Sequence, residues 1–89
     1  MTTLTPVILH YQNLMEMVDD ELVKAIAKHP HKFNSTHEGY AVILEELDEA
    51  WDEIKRNNLK DARKEMLQVA AVALRFLLDL PEPEEEVAE

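Results

Sequence analysis

Apolar residues recur along this chain at intervals of three and four, with two interruptions. Leu4, Ile8, Tyr11, Met15, Val18, Leu22 and Ile26 form the first series, and that period is one face of an α-helix. Thr5-Pro6 reads as its N-cap and first helical residue. His29-Pro30 closes it near Lys28, because the residue before a proline is pushed out of the helical region. His31 to Asn34 form a loop. Ser35, with Glu38 three residues on, is a capping box for a second helix. That helix is expected to bury Tyr40, Ile43, Leu44, Leu47, Ala50, Trp51 and Ile54. Asn57-Asn58 is a turn signal, a third helix starts near Lys60 or Asp61, and Pro81 and Pro83 end it.

The third helix organises the rest. From Glu65 to Leu80 it reads EMLQVAAVALRFLLDL, apolar on nearly every side. Its polar residues Glu65, Gln68, Arg75 and Asp79 fall on one stripe with Val72 between them, at about 100° per residue. A helix apolar on its other sides must be buried on those sides. The stripe then becomes one wall of whatever site the fold contains.

Eighty-nine residues make one small domain. The single glycine, few aromatics and abundance of Leu, Ala and Glu predict an all-α fold over residues 1–80. Residues Met1 to Leu4 are expected to fray, and the acidic tail 81–89 to be disordered. Three helices are too little chain to cover an apolar central one, so a homo-oligomer is expected. Two or four protomers would pack into a helical bundle with the third helices near its middle.

Charge narrows the partners. The formal net charge is −10, and Pro81 to Glu89 hold five glutamates and no base, which leaves −5 for the body. A nucleic acid polymer would need a basic face, and there is none. A small phosphate-bearing ligand differs, because divalent cations bridge carboxylates to phosphates. No apolar run is long enough to span a membrane, and the absence of cysteine fits a cytoplasmic setting.

The strongest chemical signal is Glu45-Glu46-Leu47-Asp48-Glu49. Glu46 and Glu49 are one helical turn apart, at the edge of the apolar face, so both carboxylates reach one point. Like charges so placed repel unless a proton or cation lies between them. Glu65 and Gln68 repeat the spacing on the third helix. If the two helices pack antiparallel, the pairs face each other as an all-oxygen site suited to magnesium, with manganese as an alternative. Glu45, Asp48 and Asp52 point elsewhere and read as a solvated face.

Glu46-Leu47-Asp48-Glu49, followed by Glu65-Met66-Leu67-Gln68, resembles the paired ExxE and ExxD motifs of the MazG-like all-α nucleoside triphosphate pyrophosphohydrolases. The resemblance covers Ser35 to Leu80, about half of the chain. Its specific part is the placement of both pairs on apolar helices with a suitable gap. It implies an enzyme that cleaves a nucleoside triphosphate into the monophosphate and pyrophosphate, in a dimer or tetramer of helical bundles. Glu46, Glu49 and Glu65 would be catalytic metal ligands for magnesium. The chain departs from the family at the fourth position, where Gln68 stands in place of Asp. An amide oxygen still ligates but carries no charge. Loss of an anionic ligand weakens metal binding and, in the limit, silences catalysis. Asp79 cannot replace it, being about 16 Å further along the helix.

Arg75, on the same stripe, is a candidate to grip a phosphate, with pairing to Asp79 at i+4 as the alternative. Lys60, Arg63 and Lys64 open the third helix and can meet phosphates; Lys64 stands next to Glu65. His37, near the start of the second helix, is a candidate for the mouth of a nucleotide site, and Phe33 for contact with a base. His29, His31 and His37 match no familiar zinc spacing. Two rivals to the enzyme remain: a catalytically degenerate module that binds nucleotide or metal, and a structural helical oligomer.

Overall fold

Each of the three periodic segments is a helix in the computed structural model, which describes residues 5–83. The order is α1 (Thr5–Lys28), α2 (Thr36–Lys55) and α3 (Leu59–Asp79), with no strand among the described residues. The expected frayed start, Met1 to Leu4, lies outside the described residues, as do residues 84–89 of the acidic tail. Pro81 to Pro83 are irregular and exposed.

The helix ends follow from local chemistry. Ser35 is extended and its hydroxyl accepts from the Glu38 backbone N–H at 3.1 Å. The Glu38 carboxylate reaches one residue further back than the usual reciprocal partner. It accepts from the Asn34 backbone N–H at 2.7 Å and from the Asn34 side-chain amide at 3.2 Å. At the other end of α2 the backbone N–H of Asn58 donates to Glu53 O and that of Asn57 to Ile54 O, both at 3.0 Å. Asn57 takes the left-handed conformation, φ 58°. This is the Schellman arrangement, with asparagine where glycine is commonest. Asn58 then caps α3, its side chain accepting from the Asp61 N–H at 3.1 Å and donating to the Asp61 carboxylate at 2.8 Å. That cap starts α3 at Leu59, one residue before the earlier of the two starts expected from the sequence.

So short a turn forces α2 and α3 into an antiparallel hairpin. They approach through small residues: Ala50, fully buried, and Ala62. Gly39 meets Phe76 at the far end, where an added Cβ would sit 2.5 Å from the ring. Helix α1 packs on α3 and, among the described residues, not on α2. Glu21 pairs with Gln68 and Ala25 with Arg75, so α1 and α3 run parallel. By that register the first turns of α1 project past the start of α3, and Val7, Ile8, Leu9 and Tyr11 are exposed.

Three expectations change here. Of the expected α1 series, Val18 is buried and Met15 and Leu22 are half-buried, but Ile8, Tyr11 and Ile26 are exposed, and the covered face takes in Leu14, Glu21 and Ala25 as well. The best-looking apolar stripe is therefore rotated partly away from its partner. Tyr40, Leu44, Leu47, Trp51 and Ile54 of α2 are exposed rather than buried, because α3 covers only the neighbouring row with Gly39, Ile43 and Ala50. Helix α3 is central, yet Leu59, Met66, Leu77 and Leu78 remain exposed. Among the described residues it is covered on two sides only.

The contact between α1 and α3 is anchored by Arg75, which is 5% exposed. Its Nη1 donates to Ala25 O at 3.1 Å, and its Nη2 to His31 O at 2.8 Å and to His29 O. Its Nε donates to Asp79 at 3.1 Å. The same Asp79 oxygen accepts from the Phe33 backbone N–H at 3.0 Å, and the Phe33 ring lies 5.5 Å from the guanidinium carbon. One side chain thus satisfies the last carbonyls of α1 and the loop that follows.

Breaking such a buried pair leaves several polar groups unmatched, at a cost of roughly 3–5 kcal/mol. Arg75→Ala should therefore lower the unfolding free energy by about that amount in urea titration. Gly39→Ala, which crowds the Phe76 ring and, at 3.3 Å, the Phe33 ring, should cost about 1–3 kcal/mol.

Candidate metal centre

The antiparallel hairpin sets Glu49 of α2 level with Glu65 of α3, and Glu46 lies one turn away on the same side of α2. Each of the three offers a carboxylate oxygen within 4.8 Å of the others. Glu46 and Glu65 are half-buried and Glu49 is exposed. Opposed ligands on an octahedral magnesium stand about 4.2 Å apart, twice the ordinary bond of about 2.1 Å. The donor set therefore fits one hard divalent cation with small side-chain adjustments.

Electrostatics supports the same fit. Burial pushes the Glu46 carboxyl above its usual 4.5, and the charges of Glu49, Glu65 and Glu45 push it further. Burial likewise raises Glu65, with the Glu49 charge and a hydrogen bond to Glu49 adding to it. Lys64 acts the other way on Glu65, so its ammonium lies close enough to matter, and Glu53 adds a smaller upward push. Glu53 itself is paired with Arg56 at 2.9 Å. Carboxylates that share protons in this way are the ones a cation would relieve.

The polar stripe of α3 divides its labour. Glu65 faces the carboxylates of α2. Gln68 turns to α1, its Nε2 donating to Glu21 at 2.7 Å. Arg75 and Asp79 are consumed by the connection between α1 and α2. Four of the five N–H groups of Arg75 are engaged, and it sits about 15 Å along the helix from Glu65 at 1.5 Å per residue. His37 is exposed at the start of α2, at that same far end. Lys64 stands beside the cluster; Arg75 and His37 do not. Phe33 lies beneath Arg75 instead of standing free in the loop.

Glu21 is the residue that the sequence reading passed over. It is half-buried, carries a looser pair with Lys24 at 3.6 Å, and brings a fourth carboxylate onto the Gln68 amide. Its signal was there: Leu14, Val18, Glu21 and Ala25 share helical spacing, but a longer apolar series beside them drew the assignment. Compared with known proteins, the chain matches no family model, no curated protein and no solved structure.

The raised carboxyls set a pH dependence. Both groups bind protons more tightly in the folded chain than in the unfolded one, so their contribution favours folding below about pH 4.5 and is lost as pH rises through their folded values. Without added metal, the melting temperature should fall over that rise by more than in Glu46→Gln. Millimolar manganese should restore it at neutral pH and have no effect at pH 4, as read by calorimetry.

Proposed function

We propose that this chain is a magnesium-dependent nucleoside triphosphate pyrophosphohydrolase, built as a MazG-like homo-oligomer, a dimer or tetramer, and acting on the cytoplasmic nucleotide pool. The observation that carries the reading is the convergence of Glu46, Glu49 and Glu65 from two antiparallel helices. Three carboxylates in one place suit a ligand that brings its own cations, and a triphosphate does so. No helix among the described residues is long and apolar enough to cross a membrane, so the described part of the chain offers no lipid-embedded alternative for this site.

The residues divide the work. Glu46 and Glu65, held by the hairpin, are the fixed ligands. Glu49 is the exposed member, the one open to solvent and placed to take a proton from the attacking water. Lys64 adds positive charge at the edge. Bound magnesium supplies charge neutralisation of the phosphates and acidification of water. Hydrolysis breaks the anhydride between the α- and β-phosphates and yields monophosphate and pyrophosphate.

A second reading rests on Gln68. Its amide is held by Glu21, so the fourth position contributes no charge of its own. A module that binds metal and nucleotide without turnover would be built this way.

Pyrophosphate release from a panel of ribo- and deoxyribonucleoside triphosphates separates the two. The enzyme predicts release that needs magnesium or manganese and falls by about 10²–10⁴ in Glu49→Gln, the usual worth of a general base, with helicity retained. Gln68→Asp should tighten metal binding in either case. Metal-dependent nucleotide binding with no release, even in Gln68→Asp, would leave the binding module.

A further inference from the structure

Gln68 is neutral, yet a carboxylate touches it. Its Nε2 donates to Glu21 of α1 at 2.7 Å, from 47 residues away in the sequence. The other Glu21 oxygen pairs with Lys24 at 3.6 Å. Lys24 is exposed, so that pair is weak. The bond to Gln68 is the one that holds the Glu21 carboxylate in place.

This bond decides which end of the amide goes where. An ionised carboxylate only accepts, so the nitrogen of Gln68 must face Glu21 and the oxygen cannot. Among the described residues no group donates to Gln68 Oε1, and that oxygen is not sealed from solvent. Gln68 stands one helical turn after Glu65 on the same stripe of α3, and side chains so spaced are neighbours. Its nitrogen is committed to α1. Its oxygen is the end left for the side on which Glu65 meets the carboxylates of α2.

The hydrogen bond does more than orient. A donor N–H given to an anion draws electron density onto the amide oxygen. Metal sites commonly use this device: the far N–H of a ligand is given to a carboxylate, which fixes the ligand and raises its basicity. A second carboxylate at position 68 cannot donate to Glu21, so in this chain the two positions form a matched pair.

We propose that Glu21 is a positioning residue of the metal centre. Through its hydrogen bond to Gln68 Nε2 it presents the amide oxygen as a fourth, neutral ligand beside Glu46, Glu49 and Glu65. The inference rests on the metal-site reading above and serves the enzyme and the binding module alike. It brings α1 into the site, although α1 adds no atom to the trio of carboxylates. The negative charge that position 68 lacks is present one hydrogen bond further out.

Manganese binding to the full chain without nucleotide tests this, read from the free-ion signal in electron paramagnetic resonance. Glu21→Gln should weaken binding about 10- to 100-fold, with helicity retained. Gln68→Met, which keeps the length of the side chain and removes its oxygen, should weaken it to a similar extent. Adding Glu21→Gln to Gln68→Met should then change the affinity by less than about twofold, because the amide through which Glu21 acts is gone. Equal losses from Glu21→Gln in both backgrounds would mean that Glu21 acts by its charge alone, and would overturn the inference. So would wild-type affinity in either folded single variant. If Glu21→Gln does not fold, unchanged binding in Gln68→Met still removes the amide ligand. A wild type that binds no manganese removes the metal centre and the inference with it. A wild type whose binding is lost in Glu46→Gln but not in Glu21→Gln leaves the centre standing and removes only the role of Glu21.

Discussion

The fold depends on one buried cation. Among the described helices α1 packs on α3 alone, and the polar end of that contact is the Arg75 guanidinium. It gathers three carbonyls from the end of α1 and the following loop onto a single helix position. Asp79 balances its charge and also holds the Phe33 N–H. A lysine could offer the charge but not the planar fork that reaches several acceptors at once. The carboxylate cluster lies towards the other end of α3, so the helix is anchored away from it. The half that carries Glu65 is positioned by the hairpin turn.

Much of this was legible along the chain. The three helices, the Ser35 cap and the turn at Asn57-Asn58 rest on local rules, and local rules survive folding. The meeting of Glu46, Glu49 and Glu65 was legible because a short turn leaves antiparallel packing as the only course and one-turn spacing does the rest. Arg75 was half legible. Its partner Asp79 is four residues away on the same helix, but the three carbonyls belong to backbone that no side-chain pattern announces. The orientation of α1 was legible only in part: Val18 was on the expected face, but Glu21 and Ala25 were not. Its apolar residues cover more than one face, and which face meets α3 is decided by where Arg75 and Gln68 find acceptors. Tyr40 and Trp51 were misplaced for a related reason. Periodicity says that a face is apolar, not which neighbour covers it.

The acidic cluster and the exposed apolar row of α2 are two responses to a small chain. A protein of this length has little chain with which to enclose its own apolar surface and also keep a group of carboxylates apart from it. The hairpin separates the demands by side. Carboxylates whose mutual repulsion would weaken a closed core sit where water and cations reach them. The branched and aromatic residues collect on the other side.

The turn between α2 and α3 contains no slack. Asn57 ends one helix, and Asn58, in the next position, begins the other. One inserted residue would rotate α3 by about 100° and carry Glu65 away from Glu49. The alignment of the carboxylates is thus written in the length of a surface turn rather than in the cluster. In the drift of such sequences, substitutions around the glutamates would be the gentler change, and a single-residue insertion at the turn the harsher one.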